Sequence, residues 1–408
     1  MWLGSGVIGG IGLGLGYISP VSTLIKWFPD RRGMATGMAI MGFGGGAMIG
    51  APLADKLMKH FATPTSVGVW ETFLALAAIY FVFMVAGALT YRVPATGWKP
   101  EGWTPPATKA NTMVTTRHVH ASRVWGIPQF WLIWGVLFLN VSAGIGILGM
   151  ASPLLQEVFG GRLIGVNVGF NELDAAQKGQ IAAIAAGFTG LLSLFNIGGR
   201  FAWASCSDYI GRKATYFVFL GLGFFLYASI PSMAHNGHLA LFVGFICIIL
   251  SMYGGGFATV PAYLADLFGT QMVGAIHGRL LTAWAAAGVF GPILINYIRE
   301  YQIEHGVPKA QAYDITMYVL AGLVVVGIVL NAMIKPLDDK YFMTDAELAA
   351  EKKLAQERDV AASSGGARAG AAVATVNPAV TAFAWMLVGI PLMFGIWVTL
   401  QKASVLFK

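Results

Sequence analysis

Apolar segments about 20 residues long make up most of this chain, and they restrict its fold more than any other feature. A segment of that length matches the hydrocarbon thickness of a bilayer, where a helix satisfies every backbone hydrogen bond. Hydrophobic residues make up 56% of the 408 and charged residues only 11%, about half the charge of a soluble domain. The sequence therefore predicts an all-α membrane protein. Its ten predicted spans cover roughly residues 2–24, 33–57, 70–93, 129–155, 180–204, 214–233, 239–265, 274–297, 312–334 and 380–400.

The charged and reactive residues argue against several other classes of protein. The net charge of +7 does not come from a basic patch, because Lys and Arg follow the connections between spans, so we expect no nucleic-acid partner. Cys206 and Cys247 lie in or beside predicted helices, which indicates neither a disulfide framework nor a metal site. The seven histidines, among them His277 at the start of a predicted helix, show no metal-ligand spacing. We therefore expect no metal, no cofactor and no enzymatic centre.

Two longer polar segments interrupt the spans. Residues 94–128 contain several Pro and Trp residues and are expected to divide the protein into two halves. Residues 335–379 begin with a charged stretch that indicates a helix over Asp345–Arg358, followed by an Ala, Gly and Ser linker over Ser363–Ala374 that we expect to be disordered. With the segment Trp27–Arg32 in the cytoplasm, 16 of the 26 Lys and Arg residues lie on that side and 8 on the other, which supports this orientation.

An internal repeat relates the two ends of the chain at an offset of 240 residues. Trp27-Phe28-Pro29 matches Leu267-Phe268-Gly269, and Gly50-Ala51-Pro52-Leu53 matches Phe290-Gly291-Pro292-Ile293 at the same offset. Both matches lie in the same span-loop-span context. Parallel repeats of this kind are typical of transporters built from two related halves.

Two segments resemble motifs of the major facilitator superfamily. Lys26-Trp27-Phe28-Pro29-Asp30-Arg31-Arg32-Gly33-Met34-Ala35-Thr36-Gly37 resembles the loop between its helices 4 and 5, and is most similar to the oxalate:formate antiporter family and its monocarboxylate-carrier relatives. The segment from Gly198-Gly199-Arg200 through Ser207-Asp208-Tyr209-Ile210-Gly211-Arg212-Lys213 is similar to the signature after helix 8. There, a glycine permits a tight turn and charged residues can hold helix ends together through ion pairs and dipole contacts. The motif residues are Asp30, Arg31, Arg32, Gly33, Asp208, Gly211, Arg212 and Lys213.

The resemblance covers residues 1–340 and implies a helix bundle of two pseudo-repeated six-helix halves from which helices 1–3 are missing. Residues 1–95 would form a partial N-terminal half (helices 4–6), 96–128 a central cytoplasmic loop, and 129–335 the C-terminal half. Residues 336–379 would form a cytoplasmic tail and linker, and 380–402 an extra transmembrane helix. The expected partners are the lipid bilayer, a small carboxylate substrate and the missing helices 1–3 of the same gene product. The expected location is a bacterial inner membrane.

Arg200 is the strongest candidate for substrate binding. It lies 8 residues before Asp208, which places it about 12 Å of helix rise inside the membrane. A cation at that depth costs at least about 2.5 kcal/mol and usually faces a cavity or a partner. No Asp or Glu lies at comparable depth in any predicted span. An anionic substrate would supply the missing charge; the alternative is a structural arginine paired with the missing helices.

Five aromatic residues fall at a similar depth, roughly 15–22 Å from the predicted cytoplasmic ends of their helices. Such rings would shape a small cavity and exclude water around the anion. In the oxalate:formate family the matching positions belong, together with the arginine, to the substrate-lining set, while ordinary core packing is the alternative. These residues are Tyr17, Phe43, Tyr253, Phe257 and Trp284.

Two positions depart from the related families. The second substrate cation of the oxalate:formate family falls on Ala287, so a monocarboxylate such as formate or lactate fits the charge balance better than the dianion oxalate. Proton-linked monocarboxylate carriers place an Asp where this chain has Asn196, which cannot carry a proton. We therefore expect a secondary active antiporter that works by alternating access. Proton-coupled symport is the alternative within transporters, and an anion channel or a membrane enzyme would be a rival class.

Overall fold

The computed structural model describes residues 2–95, 98–104, 113–364 and 378–407, and most of these lie in helices. A π-helical segment, Trp2–Ile8, leads into the first α-helix. The α-helices of the described ranges are α1 (Gly9–Trp27), α2 (Arg32–Phe61), α3 (Val69–Thr90), α4 (Pro128–Phe159), α5 (Ala175–Ile210), α6 (Arg212–His235), α7 (Leu239–Phe268), α8 (Val273–Glu304), α9 (Asp314–Met333), α10 (Asp345–Ser364) and α11 (Pro378–Ala403).

Eight helices of the described chain are long and apolar enough to cross a membrane. They fall on eight of the ten predicted spans, and the other two, 33–57 and 380–400, lie within α2 and α11. The described residues contain no β-strand, only two isolated bridges. The predicted all-α fold is confirmed. The eight segments are Gly6–Trp27, Val69–Thr90, Pro128–Ile164, Ala175–Ile210, Arg212–His235, Leu239–Phe268, Val273–Glu304 and Asp314–Met333.

Several helices are longer than the apolar spans that predicted them. Helix α5 covers 36 residues, whereas the sequence predicted only 180–204. Asp174 begins this helix with a capping box, accepting a hydrogen bond from the Gln177 backbone N–H at 2.8 Å. Gly211, with φ of +87°, ends it. Hydropathy reports only the part of a helix inside the hydrocarbon, whereas capping residues decide where the helix begins and ends.

The C-terminal tail is helical for longer than predicted. Helix α10 continues beyond Arg358 to Ser364, so the first two residues of the predicted linker, Ser363 and Ser364, are helical. The rest of that linker, 365–374, lies outside the described residues. Just before α10 the tail packs on the central loop, where the Met343 backbone N–H donates to the His118 carbonyl oxygen at 2.8 Å.

The helix boundaries reproduce the internal repeat. Helices α1 and α7 end at Trp27 and Phe268, and four residues separate each from the next helix, which begins at Arg32 and Val273 respectively. The two helix pairs, α1–α2 and α7–α8, are therefore related by the offset found in the sequence to within one residue.

The core lies where α5 packs between α7 and α2. Gly199 lets α5 approach α7, since a Cβ there would lie 2.1 Å from the Ser251 carbonyl oxygen. Gly37 lets α2 approach α5, since a Cβ there would lie 2.7 Å from the Arg200 carbonyl oxygen. Helix α7 is buried without interruption from Met252 to Phe268. These close approaches bring the middles of α2, α5 and α7 together, and α1 and α8 pack beside them.

Candidate functional site

Arg200 lies in the middle of the bundle with only 4% of its surface exposed. Its Nε donates a hydrogen bond to Oδ1 of Asn196 at 3.0 Å, and one Nη donates to the Ile40 carbonyl oxygen at 3.2 Å. The guanidinium lies 5.6 Å from the ring centroid of Phe43 and 5.4 Å from that of Phe257. Among the described residues no carboxylate pairs with it.

These contacts use only part of the hydrogen-bonding capacity of the Arg200 guanidinium. A guanidinium carries five N–H donors, and the two hydrogen bonds to Asn196 and Ile40 occupy two of them. Cation–π contacts contribute about 0.5–2 kcal/mol each. An unpaired buried ion costs several kcal/mol by an order-of-magnitude estimate. The arrangement can therefore bind an anion and gain free energy from it.

Two glycines, on α2 and α7, make room for the Arg200 side chain and for Asn196. A Cβ at Gly44 of α2 would lie 3.0 Å from Nε of Arg200. A Cβ at Gly254 of α7 would lie 2.3 Å from the Asn196 carbonyl oxygen and 3.1 Å from Cγ of Arg200. The glycine-rich stretches of these two helices thus include positions where any side chain would collide with the arginine or with the asparagine that holds it.

The structure brings all six predicted substrate residues together. The Tyr17 ring lies 5.9 Å from Phe43 and 5.5 Å from Phe257, and Phe257 lies 5.9 Å from Trp284. Tyr253 completes the group, because it is buried on α7 one helical turn before Phe257 and therefore lies on the same face of that helix. The aromatic wall, as we call Tyr17, Phe43, Tyr253, Phe257 and Trp284, is contributed by α1, α2, α7 and α8. Its role in binding substrate stays a prediction.

Two further polar residues of this region were not predicted as site residues. The sequence singled out Asn196 only as the position where proton-linked carriers have a proton-carrying Asp. In the structure its side chain orients the Arg200 guanidinium. His277 is 2% exposed and its ring lies 5.6 Å from Tyr17. A signal for His277 was available, because it precedes Trp284 by seven residues, or two helical turns, and so lies on the same face of α8.

The signature residues form a separate cluster at the end of the bundle predicted to face the cytoplasm. Asp208 accepts hydrogen bonds from the backbone N–H groups of Gly33 (2.9 Å) and Met34 (2.8 Å), and so caps the N-terminus of α2. Arg212 also pairs with Asp208 at 2.5 Å. A Cβ at Gly33 would lie 2.2 Å from the Ala204 carbonyl oxygen, so only glycine fits there.

A second carboxylate, Asp266 of α7, completes this cluster and was not predicted. Its Oδ1 accepts from Arg32 at 2.9 Å and its Oδ2 from Arg212 at 3.1 Å. The clasp, as we call Arg32, Gly33, Asp208, Arg212 and Asp266, therefore joins α2 to both α5 and α7. Four predicted motif residues lie outside it: Asp30, Arg31, Gly211 and Lys213. Lys213 donates to the carbonyl oxygens at the end of α9 and beyond it, and Asp30 pairs with Arg31 at 3.6 Å near the surface.

Comparisons with known proteins agree with this architecture. A family profile described as Major Facilitator Superfamily matches residues 1–292. The oxalate:formate antiporter of Oxalobacter formigenes is 28% identical over 284 residues, which cover 70% of this chain and 59% of that protein. Apicoplast pyruvate carrier 1 of Toxoplasma gondii is 26% identical over 337 residues (70% and 57%), and monocarboxylate transporter 10 of Danio rerio is 24% identical over 336 residues (79% and 56%). The chain thus spans less than two thirds of the length of each relative.

Proposed function

Because the chain belongs to the Major Facilitator Superfamily, and is therefore a membrane transporter rather than an enzyme, we propose that it exchanges small monocarboxylates such as formate across a membrane. The observation that carries this proposal is the buried guanidinium of Arg200, which has no carboxylate partner among the described residues. Relatives whose names include oxalate and formate, pyruvate or monocarboxylates support the same substrate class.

The burial of the Arg200 guanidinium explains why an anion would bind at this site. In a site of low dielectric constant an ion pair is much stronger than in water. The Arg200 guanidinium is buried in the folded protein, so the free-energy cost of removing its hydration does not have to be met again when the substrate binds. A carboxylate can accept two parallel hydrogen bonds from the Arg200 fork, which fixes its orientation as well as its charge. The aromatic wall would exclude water and limit the size of the substrate.

Charge balance favours a monocarboxylate over a dianion. Arg200 supplies one positive charge. The position that matches the second cation of the oxalate:formate family is Ala287, which is fully buried and apolar. A second carboxylate would therefore lie in this site without a permanent counter-charge, at a cost of several kcal/mol by an order-of-magnitude estimate.

Exchange is the transport mode that these residues support best. Asn196 occupies the position of the proton-carrying Asp in proton-linked relatives, and its amide does not titrate in the working pH range. We infer that the halves rock around the central site, as in other transporters built from repeats. The clasp joins α2 to α5 and α7 at one end of the bundle, so opening of that end would require α2 to separate from both.

The protein is an integral membrane protein, as its family and its apolar helices show. We propose the bacterial inner membrane as its location, and fractionation of the source cells would test this.

Counterflow of labelled formate, lactate and oxalate into proteoliposomes of the complete gene product, including the expected helices 1–3, tests the proposed function. We expect formate and lactate to exchange better than oxalate, and Arg200→Gln to lower the rate at least about tenfold because a charge-assisted bidentate contact is lost. Arg279→Gln is the matched control, since that arginine also lies in a span but donates to the Ala275 carbonyl oxygen of its own helix at 3.1 Å. Exchange by Arg200→Gln at the wild-type rate would contradict the proposal. Uptake driven by a pH gradient alone would favour proton-coupled symport.

A further inference from the structure

Two polar atoms next to the aromatic wall are buried without a hydrogen-bond partner. Nε2 of His277 and the hydroxyl oxygen of Tyr17 both lack a partner among the described residues. Their rings lie 5.6 Å apart at an interplanar angle of 62°, so the two side chains are in contact. Buried polar groups of this kind are rare, because each one gives up its hydrogen bonds to water and gains none in exchange.

The position of this pair connects it with the arginine. The Tyr17 ring also contacts Phe43 and Phe257, and these are the two rings that lie against the Arg200 guanidinium. Tyr17 therefore lies between His277 and the arginine end of the site. A one-carbon anion such as formate needs only the arginine, whereas a longer acid would extend along the wall.

We propose that His277 and Tyr17 form a second polar anchor of the substrate site, which binds the hydroxyl or keto oxygen of two- and three-carbon organic acids. This inference rests on the proposed function, since it assumes that a carboxylate binds at Arg200. The chemistry suits an uncharged oxygen, because one ring nitrogen of a neutral imidazole donates while the other accepts, and a phenol can do both. The anchor thus sets specificity among monocarboxylates.

The local packing fits an anchor that is held in place. His277 lies three residues after Gly274 and directly before Gly278 on α8, and a Cβ at either glycine would touch α1, at Ser22 and Ile18 respectively. Gly274 and Gly278 let α8 approach α1 closely, and the His277 imidazole thereby contacts the Tyr17 ring. A histidine that served only to fill space would be replaced by an apolar ring without loss, and this difference makes the proposal testable.

Propionate, lactate and pyruvate share three carbons and differ at the second carbon, so they isolate the contribution of the extra oxygen. The measurement is the concentration of each acid that halves labelled formate counterflow in proteoliposomes. In the wild type we expect lactate or pyruvate to compete at least about tenfold better than propionate, since a site with unpaired polar groups rejects an analogue that cannot satisfy them. In His277→Phe we expect this ratio to fall towards one.

Two other variants complete the test. Tyr17→Phe deletes a single oxygen and should lower the ratio in the same direction, while His305→Phe, an exposed histidine at the end of α8, should leave it unchanged. An unaltered ratio in His277→Phe overturns the inference. If that variant does not fold, an unaltered ratio in Tyr17→Phe does so. A wild type that exchanges no carboxylate at all would instead refute the proposed function, so the two failures are distinguishable.

Discussion

At the scale of single residues, the site depends on how a buried cation is held without a counter-ion. Arg200 is fixed by neutral acceptors, the Asn196 amide and the Ile40 carbonyl, and by two aromatic faces. Neutral acceptors orient a guanidinium but do not cancel its charge. The arginine therefore stays in position while it remains able to bind an anion, which is the combination that a transport site requires.

Gly254 is the residue whose substitution should disturb this arrangement most directly. In Gly254→Ala the new methyl group would lie 2.3 Å from the Asn196 carbonyl oxygen and 2.5 Å from the Oδ1 that holds Arg200. Since helix backbone must move to relieve that contact, we expect a loss of about 1–3 kcal/mol in the free energy of unfolding, together with slower formate exchange. Thermal unfolding in detergent and counterflow are the measurements.

The matched control is Gly244→Ala on the same helix, where no heavy atom lies within 4 Å of the new methyl group. Its free energy of unfolding should stay within about 0.5 kcal/mol of the wild type. Equal stability of the two variants would show that α5 and α7 are not as close at Gly254 as described.

At the scale of helices, the clasp links four elements, α2, α5, α6 and α7, through two carboxylates. Asp208 of α5 caps the N-terminus of α2, where the helix dipole favours a negative charge. Asp266 of α7 joins Arg32 of α2 to Arg212 of α6. The proposed rocking of the halves would break these contacts in each cycle, so their strength would contribute to the balance between the closed and open states.

Asp208→Asn should loosen the clasp without removing a helix. An amide keeps the shape of the side chain but loses the charge that the α2 N-terminus and Arg212 share. We expect the backbone amides of Gly33 and Met34 to exchange hydrogen at least about tenfold faster, as measured by mass spectrometry. Asp55→Asn is the control, because that exposed carboxylate pairs with Lys59 of the same helix, at 2.7 Å. Unchanged exchange at Gly33 in Asp208→Asn would rule out the cap.

The contact between the central loop and the tail should depend on pH through His118. Burial, followed by the positive charges of Lys352 and Arg32, lowers the pKa of His118 below its ordinary value of 6.5. The folded state therefore favours the neutral imidazole. Its contribution to stability is complete above pH 6.5 and is lost as the pH falls below that value towards the lowered pKa.

We therefore expect the wild type to lose more thermal stability than His118→Gln between about pH 7 and about pH 5. His305→Gln, on an exposed histidine, should behave as the wild type does. The same loss in wild type and His118→Gln would show that protonation of His118 does not weaken this contact.

At the scale of the whole molecule, α11 packs along both α5 and α2. The sequence placed this helix outside the twelve-helix pattern at 380–402, and the structure gives it the bounds Pro378–Ala403. Its contact with α5 is close, since a Cβ at Gly187 would lie 2.8 Å from the Lys402 carbonyl oxygen. Because α5 and α2 belong to different predicted halves, α11 lies across the boundary between these halves.

A disulfide can test the position of α11. A Cβ at Gly190 would lie 3.7 Å from Cβ of Thr399, within the separation of about 3.5–4.5 Å that a disulfide spans. With the native Cys206 and Cys247 replaced by Ser, the pair Gly190→Cys and Thr399→Cys should cross-link under mild oxidation, as seen by gel mobility. The pair Gly198→Cys and Thr399→Cys should not, since nothing lies within 4 Å of a Cβ at Gly198. Equal cross-linking of both pairs would contradict the described packing.

The sequence by itself determined the membrane-spanning helices, the repeat, the buried arginine and the depth of the aromatic wall. These features follow from local rules, because hydropathy, helix rise and the cost of a charge in hydrocarbon depend only on positions along one helix. The depth of Tyr17 and Phe257 in their own helices thus placed both at the level of Arg200 in the membrane before any packing was known.

Only the tertiary structure decided which side chains meet. Depth along a helix leaves the rotation of each helix and its neighbours undetermined, so Asp266 and His277 gained their contacts with Arg32 and Tyr17 from helices distant in the chain. The same holds for α11, whose apolar sequence fits a membrane but does not say which helices it contacts. In a bilayer no hydrophobic force selects one helix surface over another, and close packing of small residues and hydrogen bonds make that choice.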